Sequence, residues 1–316
     1  MRRLSVALAL VGIAAVILIV VQLGTESVWD AVASVGWGGF GVLMLWQGVL
    51  FGVLGAAWAA SMPGVPLSIL VRGRMVRDAA TTCLPFSPIG GYVLGARTLT
   101  LHGVPWPEAA AGTVVDVTGE IAAQFAFSLF GVAVLLLVRP GSELASLAVL
   151  AVGAAVAGLG AAVWQRHRIG QVLRAVGRRL LGDWFAANGG VASLQAALVR
   201  LFVPGHIVLG TARHLVGWVM TGVGTWIALR LLGAEVDVVH VVALEALLDA
   251  LVGAAFVVPG AAGVQEVGYI GLGALFGVPP ELALGVSLLR RGRDLVWGVP
   301  ILLAWQWREV RRLRRA

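Results

Sequence analysis

Two pairs of acidic residues lie within otherwise apolar stretches of the 316-residue chain. Asp116 and Glu120 are four residues apart, and so are Glu245 and Asp249. Because residues four apart share one face of a helix, each pair would present two carboxylates to the same surroundings. Carboxylates in such a place can carry a proton, bind a cation or pair with an arginine. Burying them in apolar surroundings is costly unless they are paired or hydrated, so both pairs are candidates for function.

A cluster of charged residues occupies the last apolar stretch. Its members are Arg290, Arg291, Arg293 and Asp294. Arg290 and Asp294 have the four-residue spacing of a helical ion pair. Together with Arg97, the three arginines would form an electropositive pocket that suits a phosphate or another anionic headgroup. The alternative is that arginines and carboxylates only pair with one another and hold the helices in register.

Glu266 follows a Pro-Gly break, where a new helix would begin with unpaired N–H groups and the positive end of its dipole. The residue is therefore either part of a polar site or a helix cap. The sequence contains no Ser/His/Asp signature, phosphate loop or metal-ligand spacing, and Cys83 is its single cysteine. We therefore predict neither an enzyme nor a cofactor.

The composition excludes a soluble protein. Of the residues, 59% are hydrophobic and 12% are charged, and the mean hydropathy is +0.94, whereas a soluble domain is about a quarter charged. Each crossing of the hydrocarbon core takes about 20 residues, so the length allows roughly six to eight spans. The sequence predicts an all-α polytopic membrane protein. Membrane topology accounts for the net charge of +7, and no nucleic acid partner is expected.

Six full spans are indicated by long apolar stretches. They cover residues 4–23, 37–60, 109–138, 143–164, 206–232 and 282–307. All 23 basic residues are arginines, and placing both termini in the cytoplasm puts most of them inside, including Arg72, Arg74 and Arg77. Arg213 and His214, near the start of a span, are expected at the interface. The predicted location is the inner (plasma) membrane of a bacterium.

Two further apolar stretches are interrupted, and we predict that they are re-entrant hairpins, or two more spans if they cross. Stretch 79–105 breaks around Pro85, Pro88, Gly90 and Gly91, and stretch 238–277 breaks around Pro259, Gly260 and Gly263. Irregular backbone at membrane depth survives only where protein or a water-filled cavity satisfies its polar groups. Each break is therefore expected to face a cavity.

The hairpins belong to an internal repeat. Pro85 and Pro259 each precede a Gly-Val-Pro turn by 18 residues, and an offset of 174 places helix 37–60 on residues 211–234. We divide the single membrane domain, 1–316, into a first repeat (37–138), a cytoplasmic linker with an interfacial helix (166–200) and a second repeat (206–307). An odd number of spans between the hairpins would invert the second repeat. Inverted repeats with broken segments are typical of secondary transporters, whose site lies between the repeats.

The second half also carries a family resemblance. Residues 257–266, 277–284 and 287–294 resemble the lysylphosphatidylglycerol synthase transmembrane-domain family, also called flippase-like, and look closest to its hopanoid-biosynthesis-associated members. The resemblance implies a lipid-handling protein in which Glu266 and the 290–294 cluster match polar motif residues. Only nine residues follow Trp307, so the family's aminoacyl-transferase domain, and with it lysyl transfer, is not expected. Tyr92 stands where the family commonly has an acidic residue.

These observations lead to the hypothesis of a lipid translocator or lipid-export permease, with anionic or hopanoid lipids as partners. The arginines would attract the headgroup, while the carboxylates would couple protons or pair the arginines. A membrane scaffold for a lipid-modifying enzyme is the alternative hypothesis. An intramembrane enzyme is a third, but the sequence offers it no nucleophile or metal.

Overall fold

The computed structural model describes residues 33–83, 87–141, 190–255, 258, 261 and 263–314. Within these ranges all regular structure is helical and no strand occurs, which confirms the prediction of an all-α protein. Several predicted features lie outside the described residues. They are the spans at 4–23 and 143–164, the interfacial helix of the linker, and the break residues Pro85, Pro259 and Gly260.

The described helices form two units of four, with one helix between them. The first unit contains α1 (Gly36–Ala59), α2 (Leu67–Cys83), α3 (Ser87–Leu101) and α4 (Trp106–Val138). After α5 (Gly190–Leu201), the second unit contains α6 (Pro204–Leu231), α7 (Val238–Ala254), α8 (Val264–Leu275) and α9 (Pro280–Leu313). Helices α4 and α9 begin 174 residues apart, since 106 + 174 = 280.

The same turn leads into α4 and α9. Gly103 and Gly277 adopt left-handed backbone angles, with φ of 90° and 77°, which glycine reaches without the Cβ penalty of other residues. The following amide closes the preceding helix in both places: Val104 N donates to the Leu99 carbonyl at 3.2 Å, and Val278 N donates to the Gly273 carbonyl at 2.9 Å. A proline then starts the next helix. This is a Schellman-type helix ending followed by a proline-led restart.

The main contacts between the units pair α4 with α6, α1 with α6, α2 with α9 and α4 with α7, and α1 also touches α9. Helices α1 and α6 occupy corresponding places in the two units, and so do α4 and α9. Under this correspondence the α2–α9 and α4–α7 pairs exchange with each other, as do the α4–α6 and α1–α9 pairs, although the α4–α6 contact is the more extensive. This is the packing pattern expected of two units related by a local two-fold axis.

Helices α1 and α4 are each long and apolar enough to cross a membrane. The stretch 192–201 of α5 joins α6 as a third candidate span that is bent by 72°. The described residues therefore offer two or three candidate spans, and the predicted count of six to eight is not confirmed. Helix α9 has 34 residues, but its charges at 290–294 interrupt its apolar character.

The structure corrects the position of one predicted break. Helix α2 ends at Cys83 and α3 begins at Ser87, so Pro88, Gly90 and Gly91 lie inside a helix. Pro88 is the second residue of α3, where a missing N–H leaves no helical hydrogen bond unmade. In the second unit, Gly263 has a φ of 81° and is the N-cap of α8.

Candidate functional site

The first unit contains a buried ionic cluster between α2 and α4, which we call the first cluster. Arg77 donates to Asp116 at 2.9 Å and also to Glu120. Arg74 lies 2.9 Å from both Asp78 and Glu120. The side chains of Arg77 and Asp116 are 4% and 0% exposed. Two arginines thus face three carboxylates in a place from which solvent is largely excluded.

His214 connects this cluster to the second unit. Its Nε2 lies 2.9 Å from an Asp116 carboxylate oxygen, and its side chain is fully buried. Nδ1 of the same ring has no hydrogen-bond partner among the described residues. The neighbouring Arg213 donates to the Ala56 carbonyl of α1 at 2.7 Å. His214 was expected at the membrane interface, but the structure buries it because α6 packs against both α1 and α4.

The second unit contains a corresponding ionic cluster between α7 and α9, which we call the second cluster. Glu245 is fully buried and accepts hydrogen bonds from Thr225 at 2.7 Å, from Tyr269 at 2.9 Å and from Arg290. Asp249 lies 3.6 Å from the same arginine. The Arg290 guanidinium therefore pairs with two carboxylates, and it lies closer to Glu245 than to Asp249.

The two clusters join corresponding helices, with the arginine and the paired acids exchanged between those helices. The offset of 174 carries Asp116 onto Arg290, which reverses the charge, and Glu120 onto Asp294, which keeps it. In the first unit the arginines are on the shorter helix, α2, and the paired acids on α4. In the second unit the acids are on the shorter helix, α7, and Arg290 is on α9. Each unit thus links its shorter helix to its longer one by ion pairs, but a different helix supplies the arginine.

A third polar group surrounds the start of α8. Glu266 is fully buried, accepts from the Gly263 backbone N–H at 2.9 Å and pairs with Arg291. Gln265 donates to Ser287 at 2.8 Å, and Ser287 in turn donates to Glu266 at 3.3 Å. Glu266 thus caps the N-terminus of α8, which is one of the two roles expected for it. Through Arg291 and Ser287 it also connects α8 to α9.

Arg97 lies apart from the other predicted site residues. It donates to Glu309, near the end of α9, at 2.6 Å, and its side chain is 40% exposed. Arg293 pairs with the adjacent Asp294 at 2.8 Å. The structure therefore does not join Arg97 with Arg290, Arg291 and Arg293 in one electropositive pocket, because each of these arginines has a nearby acid.

A cavity of about 260 Å³ lies between the two units and receives charged side chains from both. The charged residues that line it are Arg74, Asp78, Glu120, Asp249, Arg290, Arg293 and Asp294. Apolar and aromatic side chains from α1, α6 and α9, including Phe51, Trp218 and Trp297, complete the wall. Two buried oxygens on its lining residues, Gln47 Oε1 and Asp249 Oδ2, have no hydrogen-bond partner among the described residues. Solvent does not reach either atom in this structure.

Sequence reasoning missed Arg74, Arg77, Asp78 and His214, and also the hydrogen-bonding partners Thr225, Tyr269, Gln265 and Ser287. The polar local sequence of α2 assigns Arg74 and Arg77 to the cytoplasmic side and gives no reason to include Asp78. Their spacing of three and four was nevertheless a signal, since it places all three on one helical face. The partners on α4 are about forty residues away, with Arg77 and Asp116 separated by 39 positions, and only the packing of α2 reveals them.

The fold and the site define a helical membrane protein with an ion-pair-lined cavity between two four-helix units. Residues 4–302 match the family described as the lysylphosphatidylglycerol synthase TM region. The chain belongs to this family, which confirms the resemblance drawn from its motifs, while the link to hopanoids stays a prediction. Neither a curated protein nor a solved structure matches the chain.

Proposed function

We propose that the protein moves a lipid across the membrane through the cavity between the two units, as a lipid translocator or lipid-export permease. The observation that carries this proposal is the placement of seven charged side chains from both units around one cavity. Charges at membrane depth are costly and are found where they face protein or a water-filled path. A polar path between two repeats is the arrangement that secondary transporters use.

The distribution of ion pairs supports movement of one unit against the other. The first cluster lies within the first unit, and the Glu245–Arg290 pair lies within the second. A rocking motion between the units would leave both intact. The contacts that would have to change include His214–Asp116 and Arg97–Glu309, which join one unit to the other.

The candidate substrates are anionic phospholipids or hopanoids, which the family resemblance favours. We place the protein in a bacterial inner membrane with both termini in the cytoplasm and the two units inverted. The proposed activity requires neither a cofactor nor chemical catalysis.

Blocking the cavity without touching its charges tests this proposal. Thr221 lines the cavity and donates its hydroxyl to the Gly217 carbonyl of its own helix. Thr118 in α4 donates in the same way to Val114 and does not line the cavity. The measurement is the movement of a fluorescent anionic phospholipid between leaflets of proteoliposomes, for wild type, Thr221→Phe and Thr118→Phe at equal reconstitution.

We expect Thr221→Phe to reduce movement to the level of protein-free liposomes, because the ring fills the path, while Thr118→Phe retains the wild-type rate. Equal rates of lipid movement in the two variants would show that the lipid does not pass through the cavity. The proposal of transport would be contradicted if the wild-type protein moved neither anionic nor hopanoid lipids faster than empty liposomes do.

A scaffold for a lipid-modifying enzyme is the second candidate, and one observation favours it. Most charged side chains around the cavity already have an internal partner, as a static framework would require. The scaffold hypothesis expects a partner enzyme to co-purify with the protein and expects Thr221→Phe to leave that partner bound.

A further inference from the structure

A second cavity, of about 160 Å³, lies between α2, α3 and α9. It adjoins the central cavity, because Ile301 lines both. Its polar lining consists of Arg72, Thr98, His102, Trp305 and Arg308.

The two cavities differ in their charge balance. Three arginines and four carboxylates line the central cavity, so its basic groups are already compensated. None of the described residues that line the second one is acidic. Among the residues that the structure describes, Arg72 and Arg308 have no carboxylate within ion-pair distance. Neighbouring arginines do have partners: Arg97 pairs with Glu309, and Arg311 lies 3.7 Å from the centre of the Trp307 ring.

Further hydrogen-bond donors accompany the two arginines. The indole N–H of Trp305 is buried and has no acceptor within the described part of the chain. His102 Nδ1 lies 2.8 Å from the Thr98 carbonyl, so this nitrogen carries the proton. In the neutral ring Nε2 is then an acceptor. The two exposed guanidinium groups and the unsatisfied indole N–H offer donors that suit an acceptor with negative charge.

The position along α9 sets the depth of this cavity. Arg308 follows Arg293 by 15 residues, which corresponds to roughly 22 Å along the helix axis. A bilayer with its headgroups is about 40–45 Å thick. If the central charges lie near the midplane, Arg308 therefore reaches the depth of the lipid phosphates.

We propose that the second cavity is a phosphate-binding site, in which Arg72 and Arg308 hold the anion and the Trp305 indole N–H fixes its orientation. The anion is either the phosphodiester of an anionic lipid or free inorganic phosphate. The site is separate from the central cavity, and binding there does not depend on whether the protein moves lipid. It supplies the uncompensated positive charge that the central cavity lacks.

Binding measurements on the full-length protein in nanodiscs of phosphatidylcholine test the proposal. The probes are dihexanoyl phosphatidylglycerol, inorganic phosphate, and dihexanoyl phosphatidylcholine as the zwitterionic control. The variants are Arg72→Gln with Arg308→Gln, and Trp305→Phe. Arg311→Gln is the matched control, because it removes one arginine from the same end of α9 without touching the cavity.

We expect the double variant to weaken binding of the anionic probe about tenfold or more, since charge-assisted hydrogen bonds are lost. Trp305→Phe should weaken it to a smaller degree, and Arg311→Gln should bind as wild type does. Competition by inorganic phosphate identifies a general phosphate site, and binding of the anionic lipid alone identifies a headgroup site. The proposal is overturned if neither anionic probe binds wild type, or if Arg311→Gln loses as much affinity as the double variant. Monodisperse elution of each variant establishes that it is folded.

Discussion

Trp46 donates its indole N–H to the backbone carbonyl of Met220 at 2.9 Å, and Met220 lies 174 positions after Trp46. Residues at corresponding places in the two units therefore touch each other. Such a contact arises where two related units meet at their common axis. The Trp46 ring fits there because position 224 of α6 is a glycine, whose Cβ would lie 2.9 Å from the indole.

Trp46→Phe should destabilise the packing of α1 on α6. The phenyl ring retains the aromatic contact but leaves the Met220 carbonyl without this donor, which costs about 1 kcal/mol. The check is the midpoint of thermal unfolding in detergent. Trp37→Phe in the same helix is the control, because Trp37 is 91% exposed, and an equal drop in both variants would contradict the role of the hydrogen bond.

Removing Arg77 should be among the most destabilising single changes in the first unit. Arg77→Gln leaves Asp116 and Glu120 without their shared cation, and breaking a buried pair in this way costs about 3–5 kcal/mol. Adding Asp116→Asn and Glu120→Gln removes the uncompensated charge, so the triple variant should recover much of the loss. Unfolding midpoints of the single and triple variants decide the matter, and a triple variant no more stable than Arg77→Gln would refute the argument.

The two acids of the second cluster should respond differently to neutralisation. Glu245→Gln removes a charge that has three donors and is fully buried, so it should destabilise the protein by about 3 kcal/mol or more. Asp249→Asn removes the carboxylate that has only a 3.6 Å contact with Arg290, and should change stability little. Urea or thermal unfolding of the two variants in the same detergent compares them directly. Equal losses would mean that Arg290 serves both acids alike.

Adjacent glycines in α3 offer a matched pair. A Cβ on Gly91 would lie 2.6 Å from the Arg77 carbonyl of α2, whereas a Cβ on Gly90 would meet nothing within 4 Å. Gly91→Ala should therefore force α2 and α3 apart at a cost of about 1–3 kcal/mol. Gly90→Ala should be neutral or stabilise the helix by up to about 1 kcal/mol. Unfolding midpoints that fall equally for both would show that the close approach of the helices is unimportant.

Much of the fold was predictable because its signals are local. The predicted spans at 37–60, 109–138, 206–232 and 282–307 coincide closely with α1, α4, α6 and α9, since long apolar stretches and Gly-Val-Pro turns act over a few residues. Pairing of Glu245 with Arg290 was also one of the alternatives drawn from spacing and charge.

The first cluster was not predictable by the same means. The positive-inside rule assigns arginines in a polar segment to a cytoplasmic loop. It does not take into account that carboxylates on a helix distant in sequence can pair with an arginine. Arg74 and Arg77 are buried because α2 packs against α1, α3 and α9, while their side chains reach the acids of α4. That arrangement depends on packing between the units, which cannot be recognised from the pattern of apolar residues in α2 alone.

The confinement of the buried arginine–carboxylate pairs to single units also affects how the protein is made. The ribosome completes residues 33–141 before it starts on α6. Arg77, Asp116 and Glu120 all belong to that early segment, so their charges can neutralise one another in lipid while the second half is still being translated. A charged residue at the centre of an inserting helix costs several kcal/mol. Each half of the chain therefore meets that cost separately, and the first half already holds the ion pairs of the first cluster before the second half exists.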